Sequence, residues 1–327
     1  MQDLAAKVTG CLLGGAVGDA LGAPFEGLWS DTIPDQEELL AGYALYEGFP
    51  PGQYTDDTQL TLATVESIVR CGQINLPDIA RSIFQLWRTE GVIGPGGACS
   101  QASRQYFQTQ NWQTCGAPVG NAGNGTAMRT AILGLWFLHH PEHLAPTVAQ
   151  ISQITHHDPR SIAGGVVIAQ AARLLSQHPE ISPLEFCTSI AETIEPIEAS
   201  FSRHIRELPR LIHIEDALAL ESIAWAGMHV PEFDRPIITP FVIPTVLAAL
   251  WCVLKYGDSW STAVSAAIKL GGDVDTLGAI VGGLMGAKLG ETAIPPHLAQ
   301  QVVQADHIRA LATAYGAHIL RKMSREL

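Results

Sequence analysis

Two short acidic segments hold the residues of this chain that are best suited to chemistry. They are Tyr54-Thr55-Asp56-Asp57-Thr58-Gln59 and Gly271-Gly272-Asp273-Val274-Asp275-Thr276, and each stands directly before an apolar run that predicts a helix. Asp and Thr at such a position commonly cap the helix, because their side chains accept hydrogen bonds from free backbone N–H groups. Capping needs only one residue of this kind, whereas each segment supplies two carboxylates and at least one hydroxyl. A second role is therefore open to both segments.

Four carboxylates that face one cavity would need compensation. Ionised carboxylates about 4 Å apart repel each other by roughly 4 kcal/mol at an effective dielectric constant of 20. Such a cluster must take up protons or bind cations, and two divalent ions would balance four negative charges. A shell of Asp and Thr oxygens, without Cys or His at ligand spacing, favours a hard ion such as Mg²⁺ or Mn²⁺ over Zn²⁺. This hypothesis requires the two segments, distant in sequence, to converge in space.

The elements that must position these residues are predicted to be helical. Apolar residues recur at three- and four-residue spacing between short Gly and Pro interruptions, and clean strand patterns are nearly missing. The pattern predicts helices over residues 58–71, 130–139, 162–175, 184–194, 216–228, 242–255, 261–270, 277–289 and 307–323, with another around Ile79 to Trp87. We expect an all-α protein of about a dozen helices. No linker or whole-unit repeat divides the chain, which predicts one compact domain over residues 1–327.

Composition excludes several classes of protein. Hydrophobic residues make up 47% of the 327 residues, so the chain can build a core and is not disordered. With 19 basic and 32 acidic residues, the net charge is −13, which disfavours a general nucleic-acid or anionic-membrane partner. No apolar run approaches the roughly 18 residues of a membrane span. The six scattered cysteines form no Cys-x-x-Cys pair, which predicts reduced thiols and a cytoplasmic location. The oligomeric state is left open.

Several longer motifs follow one another in an order that is known from a family. They are Gly10 to Glu26 (GCLLGGAVGDALGAPFE), Thr55-Asp56-Asp57-Thr58, Gly123 to Arg129 (GNGTAMR), Thr155-His156-His157-Asp158, and Gly271 to Thr276 (GGDVDT) trailed by Gly282, Gly286-Ala287 and Gly290. On these motifs the chain resembles the ADP-ribosylglycohydrolases, which include the dinitrogenase reductase-activating glycohydrolases. The resemblance covers nearly the whole chain.

The resemblance implies an all-α fold with a binuclear Mg²⁺ or Mn²⁺ centre at the base of an ADP-ribose cleft. It also implies hydrolysis of the N- or O-glycosidic bond between ADP-ribose and a modified protein side chain or small acceptor. The implied metal ligands are Thr55, Asp56, Asp57, Asp273, Asp275 and Thr276. The implied catalytic residues are Glu26 and Asp57, where Glu26 matches a glutamate proposed to help activate water. Carboxylates suit this reaction, because cleavage at an anomeric carbon passes through a cation-like transition state.

A second set of residues is implied to bind the substrate. It consists of Asn121, Ala122, Gly123, Asn124, Gly125 and His156. Glycines before a helix allow backbone N–H groups to approach a pyrophosphate, although most Gly-Asn-Gly runs are simple turns. Ala122 is small, whereas family members often carry Ser and an aromatic residue here, so ring stacking is in doubt. Arg129 has two alternatives, a phosphate contact or a buried ion pair, and the loop Gly94-Pro95-Gly96-Gly97 could border the cleft or be a plain connection.

Two rival functions stay open at this level. One is a non-catalytic ADP-ribose-binding or crystallin-like relative, and the other is a hydrolase of a different ribosyl substrate on the same scaffold. Degenerate relatives lose acidic ligands, whereas Glu26 and all six proposed ligands are present in this chain. Catalysis is therefore favoured. The acceptor linkage, the choice between Mg²⁺ and Mn²⁺, and the division of ligands between two ions are not decided by the residues.

Overall fold

The protein is helical throughout the part that the computed structural model describes, residues 2–228 and 233–324. Sixteen α-helices occur in these ranges: α1 (Gln2–Gly22), α2 (Gln36–Ala41), α3 (Asp56–Cys71), α4 (Leu76–Arg88), α5 (Gly97–Thr109), α6 (Ala131–Trp136), α7 (Leu144–Gln153), α8 (Pro159–Gln177), α9 (Pro183–Ile194), α10 (Ala199–Leu211), α11 (Asp216–Ala224), α12 (Val242–Tyr256), α13 (Trp260–Ile268), α14 (Val274–Leu289), α15 (Pro296–Gln301) and α16 (Ala305–Ser324). Short 3₁₀ helices lie at Ala23–Phe25, Ser30–Thr32, Ala127–Arg129, Pro141–His143 and Glu291–Ala293. Between the described residues, β-structure amounts to three isolated bridges. The all-α prediction is confirmed.

The predicted helices occur near their expected positions, with shifted ends. Helix α3 begins at Asp56, two residues before the predicted start, and α14 begins at Val274, three residues before it. Both acidic segments therefore form the first turn of their helices as well as the residues before them. Helix α11 ends at Ala224, four residues short of the predicted end. Boundaries are the weakest part of a periodicity argument, because the last turns of a helix bury little apolar surface.

The apolar pattern failed to predict α1, the longest helix. Its glycines recur every four residues at Gly10, Gly14, Gly18 and Gly22, and glycine in a helix is disfavoured by about 1 kcal/mol relative to alanine. When only local helix preference is considered, the glycines interrupt the apolar pattern and the segment is not predicted to be a helix. Packing against another helix overrides that preference.

Helices α1 and α14 pack with their backbones in contact. A Cβ atom on Gly18 would lie 2.0 Å from the carbonyl oxygen of Gly278, and one on Gly286 would lie 1.9 Å from that of Gly10. The pairs run in opposite directions along the two helices, so the helices are antiparallel. A Cβ atom on Gly22 would lie 2.6 Å from the Cα atom of Asp275. The C-terminal end of α1 is thereby placed against the acidic first turn of α14.

Helix α1 also departs from the expectation about membrane spans. The stretch Asp3–Phe25 is long and apolar enough to cross a membrane by length and composition, and it was missed because Gly14, Gly15 and Asp19 interrupt its apolar residues. Of its most apolar window, 67% is buried inside the protein. That burial is what a core helix shows.

Candidate active site

The N-terminal ends of α3 and α14 meet at one cavity. Asp56 and Asp57 line it from α3, and Asp273, Asp275 and Thr276 line it from the α14 side. The cavity has a volume of about 120 Å³. One carboxylate oxygen from each of Glu26, Asp273 and Asp275 lies within 4.8 Å of the others. The structure thus brings together the two acidic segments that are far apart in the sequence.

Hydrogen-bond donors around these carboxylates do not fully compensate their negative charge. The Oδ1 atoms of Asp57 and Asp275 are buried and have no hydrogen-bond partner. Burial, reinforced by repulsion from Asp275, raises the pKa of Asp57 well above its ordinary value. Burial and then the charge of Asp273 raise the pKa of Asp275 in the same way. Burial raises the pKa of Asp273 to about 6, even though hydrogen bonds with Asn124, Asp275 and Thr276 lower it. A buried oxygen without a donor suits a cation, so this donor set fits hard divalent ions.

Asp19 organises the α3 side of the site, a role that the sequence pattern did not predict. Its Oδ1 accepts hydrogen bonds from the backbone N–H and the hydroxyl of Thr55, both at 3.0 Å. Its Oδ2 accepts from the backbone N–H of Thr58 at 3.0 Å and from the Thr58 hydroxyl at 2.6 Å. One buried carboxylate therefore caps α3 from α1, where Asp or Thr of the acidic segment was expected to do so. The one feature of the sequence that could have pointed to Asp19 is its position inside the Gly10 to Glu26 motif.

Thr55 lies beneath the cavity and does not line it. The residue is fully buried, and its hydroxyl lies 3.3 Å from Oδ2 of Asp57. Thr55 therefore contacts the group of acidic residues through the Asp57 carboxylate.

Glu26 stands at the rim of the same cavity. It follows the 3₁₀ helix Ala23–Phe25 at the end of α1. The loop is attached to the α14 side by two backbone hydrogen bonds, from Gly27 N–H to the Gly272 carbonyl at 2.8 Å and from Gly272 N–H to the Leu28 carbonyl at 2.9 Å. Partial burial, and next the charge of Asp275, raise the pKa of Glu26 to about 7. A carboxyl group with such a pKa can accept or release a proton near neutral pH.

The glycine-rich loop forms another wall of the cavity. Gly123, Asn124 and Gly125 line it. The Asn124 amide donates to Asp273 Oδ2 and, at 3.1 Å, to the Thr245 hydroxyl. The Asn124 side chain therefore ties the loop to the acidic cluster, which leaves the backbone as the part of this loop suited to contact a ligand.

The two glycines of this loop make room for His156. A Cβ atom on Gly125 would lie 2.9 Å from Cε1 of His156, and one on Gly123 would lie 3.3 Å from its Nε2. The Nδ1 atom lies 2.9 Å from the Thr155 hydroxyl oxygen. Burial, and then the charge of Arg129, lower the pKa of His156 to about 3. The imidazole is therefore neutral at pH 7 and lines the cavity as a hydrogen-bonding group.

Arg129 supports the loop from beneath. Its guanidinium is buried and donates to the Gly125 carbonyl and, at 2.8 Å, to the Thr155 hydroxyl. In the described part of the chain it neither forms an ion pair nor lines the cavity. Both alternatives considered from the sequence are thus replaced by a backbone-supporting role.

The remaining predicted residues lie at different distances from the cavity. Gly94, Gly96 and Gly97 line it, so that loop borders the site. Asn121 and Ala122 are not among the lining residues. The Asn121 amide donates to the Pro118 carbonyl at 3.1 Å, and the Ala122 carbonyl accepts from Val242 N–H at 3.0 Å.

Comparisons with known proteins agree with this arrangement of motifs. A sequence profile of the family described as ADP-ribosylglycohydrolase matches residues 1–325. The chain is 28% identical over 293 residues to the ADP-ribosyl-(dinitrogen reductase) glycohydrolase of Rhodospirillum rubrum, covering 88% of this chain and 87% of that protein. It is 28% identical over 326 residues to the ADP-ribosylhydrolase ARH3 of Gallus gallus, covering 89% and 87% respectively.

A third curated relative and a solved structure extend the likeness. The ADP-ribosylarginine hydrolase Tri1 of Serratia proteamaculans is 26% identical over 314 residues, covering 94% of this chain and 78% of that protein. The solved structure of an ADP-ribosylglycohydrolase-related protein complex superposes with a TM-score of 0.74 at 26% identity, covering 98% of this chain and 100% of the other. The chain therefore belongs to the ADP-ribosylglycohydrolase family, whose members are hydrolases that act on glycosyl bonds.

Proposed function

We propose that this chain hydrolyses the glycosidic bond between ADP-ribose and a modified protein side chain or small acceptor, and that two Mg²⁺ or Mn²⁺ ions assist it. The observation that carries the proposal is the pair of buried, unpartnered oxygens of Asp57 and Asp275 in the cavity wall. Buried acceptors of this kind are rare in folded proteins, and a cation resolves them. The names of the relatives, which are ADP-ribosyl hydrolases, support the substrate class.

The residues that would hold the ions are those of the two helix ends. They are Thr55, Asp56, Asp57, Asp273, Asp275 and Thr276. When bound, the ions supply positive charge that orients ribose hydroxyls and lowers the pKa of coordinated water. Asp19 keeps the Thr55 side of this set in place through its four hydrogen bonds.

The chain's own groups account for the movement of charge and protons. The cluster of carboxylates stabilises the cation-like anomeric carbon as its bond to the acceptor breaks. Glu26, with a pKa of about 7, accepts a proton from the attacking water as the water oxygen bonds to the anomeric carbon, and passes that proton to the departing acceptor as the glycosidic bond breaks. The backbone N–H groups around Gly123 and Gly125 and the neutral ring of His156 hold the diphosphate and ribose.

A panel of defined linkages tests the proposed function. We expect release of ADP-ribose from at least one of arginine-linked, serine-linked and acetyl-linked substrates, measured by chromatography, and loss of that release after chelation. Restoration by Mg²⁺ or Mn²⁺ would support the metal requirement. Turnover that survives complete metal removal would contradict it, and binding of free ADP-ribose without any release would assign a reader role instead.

Glu26→Gln separates chemistry from binding. We expect kcat to fall about a hundredfold, because general acid–base groups contribute on this order. The dissociation constant for ADP-ribose, measured by calorimetry, should change by less than about threefold. Glu180→Gln, at an exposed glutamate in the turn before α9, is the matched control and should behave as the wild type. An equal loss of binding and turnover in Glu26→Gln would argue against a chemical role.

Two broader proposals accompany this one. We propose that the chain works as a single domain over residues 1–327, of which residues 1, 229–232 and 325–327 lie outside the described ranges. The packing of α1 against both α14 and α16 supports it. We also propose a reducing, cytoplasmic setting, which fits the six free cysteines.

A further inference from the structure

A second cavity adjoins the active-site cavity. It has a volume of about 280 Å³ and shares Glu26, Pro240 and Asp273 with the first. The other residues that line it are Gly27, Trp29, Phe233, Ile237, Ile238, Thr239 and Gly272. The two cavities therefore meet where the carboxylates stand, and we call the second one the side cavity.

The walls of the side cavity are apolar and aromatic. The rings of Trp29 and Phe233 meet edge to face, with centroids 6.0 Å apart and planes at 89°. Ile237 and Ile238 are buried beside them, whereas 43% of Phe233 is exposed. Exposed aromatic surface in a concave site is typical of ligand contact.

Backbone hydrogen bonds connect these walls to the active site. The Ile238 carbonyl accepts from Asp273 N–H at 2.8 Å, and the Pro240 carbonyl accepts from Asn124 N–H at 3.0 Å. The segment that carries the apolar wall is thus joined both to the acidic cluster and to the glycine-rich loop. A ligand group in the side cavity would be held in a defined relation to the reacting bond.

Trp29 is held in place from outside the side cavity. The Arg235 guanidinium lies 4.9 Å from the Trp29 ring centroid, and its Nη2 pairs with Asp31 Oδ2 at 3.3 Å. Arg235 is not one of the residues that line the side cavity. The protein itself therefore shows a planar cation resting on this indole ring, as the quadrupole of the ring favours.

On the basis of the proposed function, we infer that the side cavity receives the acceptor, with Trp29 as a specificity-determining residue for acceptors that carry a guanidino group on an apolar stem. The shared end of the cavity offers the Glu26 carboxyl group, which suits a planar cation next to the scissile bond. The aromatic and aliphatic walls suit the methylene stem that follows it. A serine linkage is shorter, so it would bring the polar peptide backbone to this end and leave the apolar wall uncovered.

The test compares two peptides of one sequence that carry ADP-ribose on arginine or on serine. For Trp29→Ala we expect KM for the arginine-linked peptide to rise about tenfold, with kcat within about twofold, since burial of one or two methylene groups of the stem contributes on this order. KM for the serine-linked peptide and the Kd for free ADP-ribose should stay at wild-type values. Trp29→Phe should restore most of the loss, because it keeps an aromatic face. Phe107→Ala, at an exposed aromatic residue of α5 that lines neither cavity, is the matched control.

A binding measurement keeps this inference separate from the proposed function. Agmatine, which has a guanidino group and an apolar stem but no ADP-ribose, should bind the wild type in saturation-transfer NMR and lose that binding in Trp29→Ala. Absence of turnover on both peptides and on the acetyl-linked substrate would refute the proposed function, while agmatine binding that depends on Trp29 would still support the side cavity as a guanidino site. The inference is overturned if agmatine binds equally to both proteins or to neither, or if Trp29→Ala impairs the two peptides to the same extent.

Discussion

We expect Asp57→Asn and Asp275→Asn each to remove the proposed divalent-ion binding and to lower turnover about a thousandfold. The expected size follows from losing several kcal/mol of transition-state stabilisation, where each 1.36 kcal/mol is about tenfold in rate. Both side chains present a buried oxygen that no protein donor satisfies, and an amide is a weaker ligand for a hard cation than a carboxylate. Calorimetric titration with Mn²⁺ measures the binding, and ADP-ribose release measures the turnover.

In the metal-free protein, by contrast, we expect the same substitutions to increase the free energy of unfolding. Because burial raises the carboxyl pKa values in this cluster, to about 6 for Asp273 and about 7 for Asp19, the folded state holds more protons than the unfolded state between about pH 4 and 7. The free energy of unfolding must then fall as pH rises through this window. We expect a steeper fall in the wild type than in Asp57→Asn, and a metal-free variant that is more stable at pH 7.5. Urea unfolding in EDTA at pH 5 and pH 7.5 measures both the fall in the free energy of unfolding with pH and the difference in stability between the variant and the wild type.

Asp78→Asn provides the control for this experiment. Asp78 is a buried carboxylate outside the cavity, and it accepts hydrogen bonds from Ser67 and Arg70. Its substitution should reduce stability at pH 7.5 and leave Mn²⁺ affinity unchanged. Wild-type Mn²⁺ affinity in either Asp57→Asn or Asp275→Asn would contradict the proposed metal centre.

We expect Gly286→Ala to lower the free energy of unfolding by about 3 kcal/mol, at the upper end of what overpacking produces. The added methyl group would lie 1.9 Å from the Gly10 carbonyl oxygen and 2.3 Å from its carbon. These are backbone atoms of α1, so no side-chain rotation can relieve the contact and the two helices must separate. Circular dichroism at 222 nm during urea unfolding measures the change.

Gly15→Ala, on the same helix pair, is the matched control. Its added methyl group would meet the Ala279 carbonyl oxygen at 3.4 Å, which is ordinary contact. Alanine favours a helix over glycine by about 1 kcal/mol, so this variant should be as stable as the wild type or more stable. Equal stability of Gly286→Ala and Gly15→Ala would show that close approach of α1 and α14 does not hold the fold together.

The sequence by itself determined the helical class, the acidic segments and the ordered motifs. Apolar spacing is a local property of the chain, and it placed helices such as α3, α8 and α12 close to where they occur. The residue types at Thr55 to Thr58 and Asp273 to Thr276 likewise indicate a set of carboxylate and hydroxyl oxygen ligands without any knowledge of the fold.

Only the tertiary structure decided how these pieces meet. The glycines of α1 disfavour a helix locally, and they become necessary because α14 lies against them at backbone distance. Asp19 resembles one more polar residue in an apolar run until α3 is placed beside it. Trp29 and Phe233 are about 200 residues apart, and their contact beside Glu26 depends on the path of the whole chain. Periodicity reports which face of a segment is apolar, whereas the partner that covers this face is chosen by packing over long sequence separations, and the candidate active site lies where those partners meet.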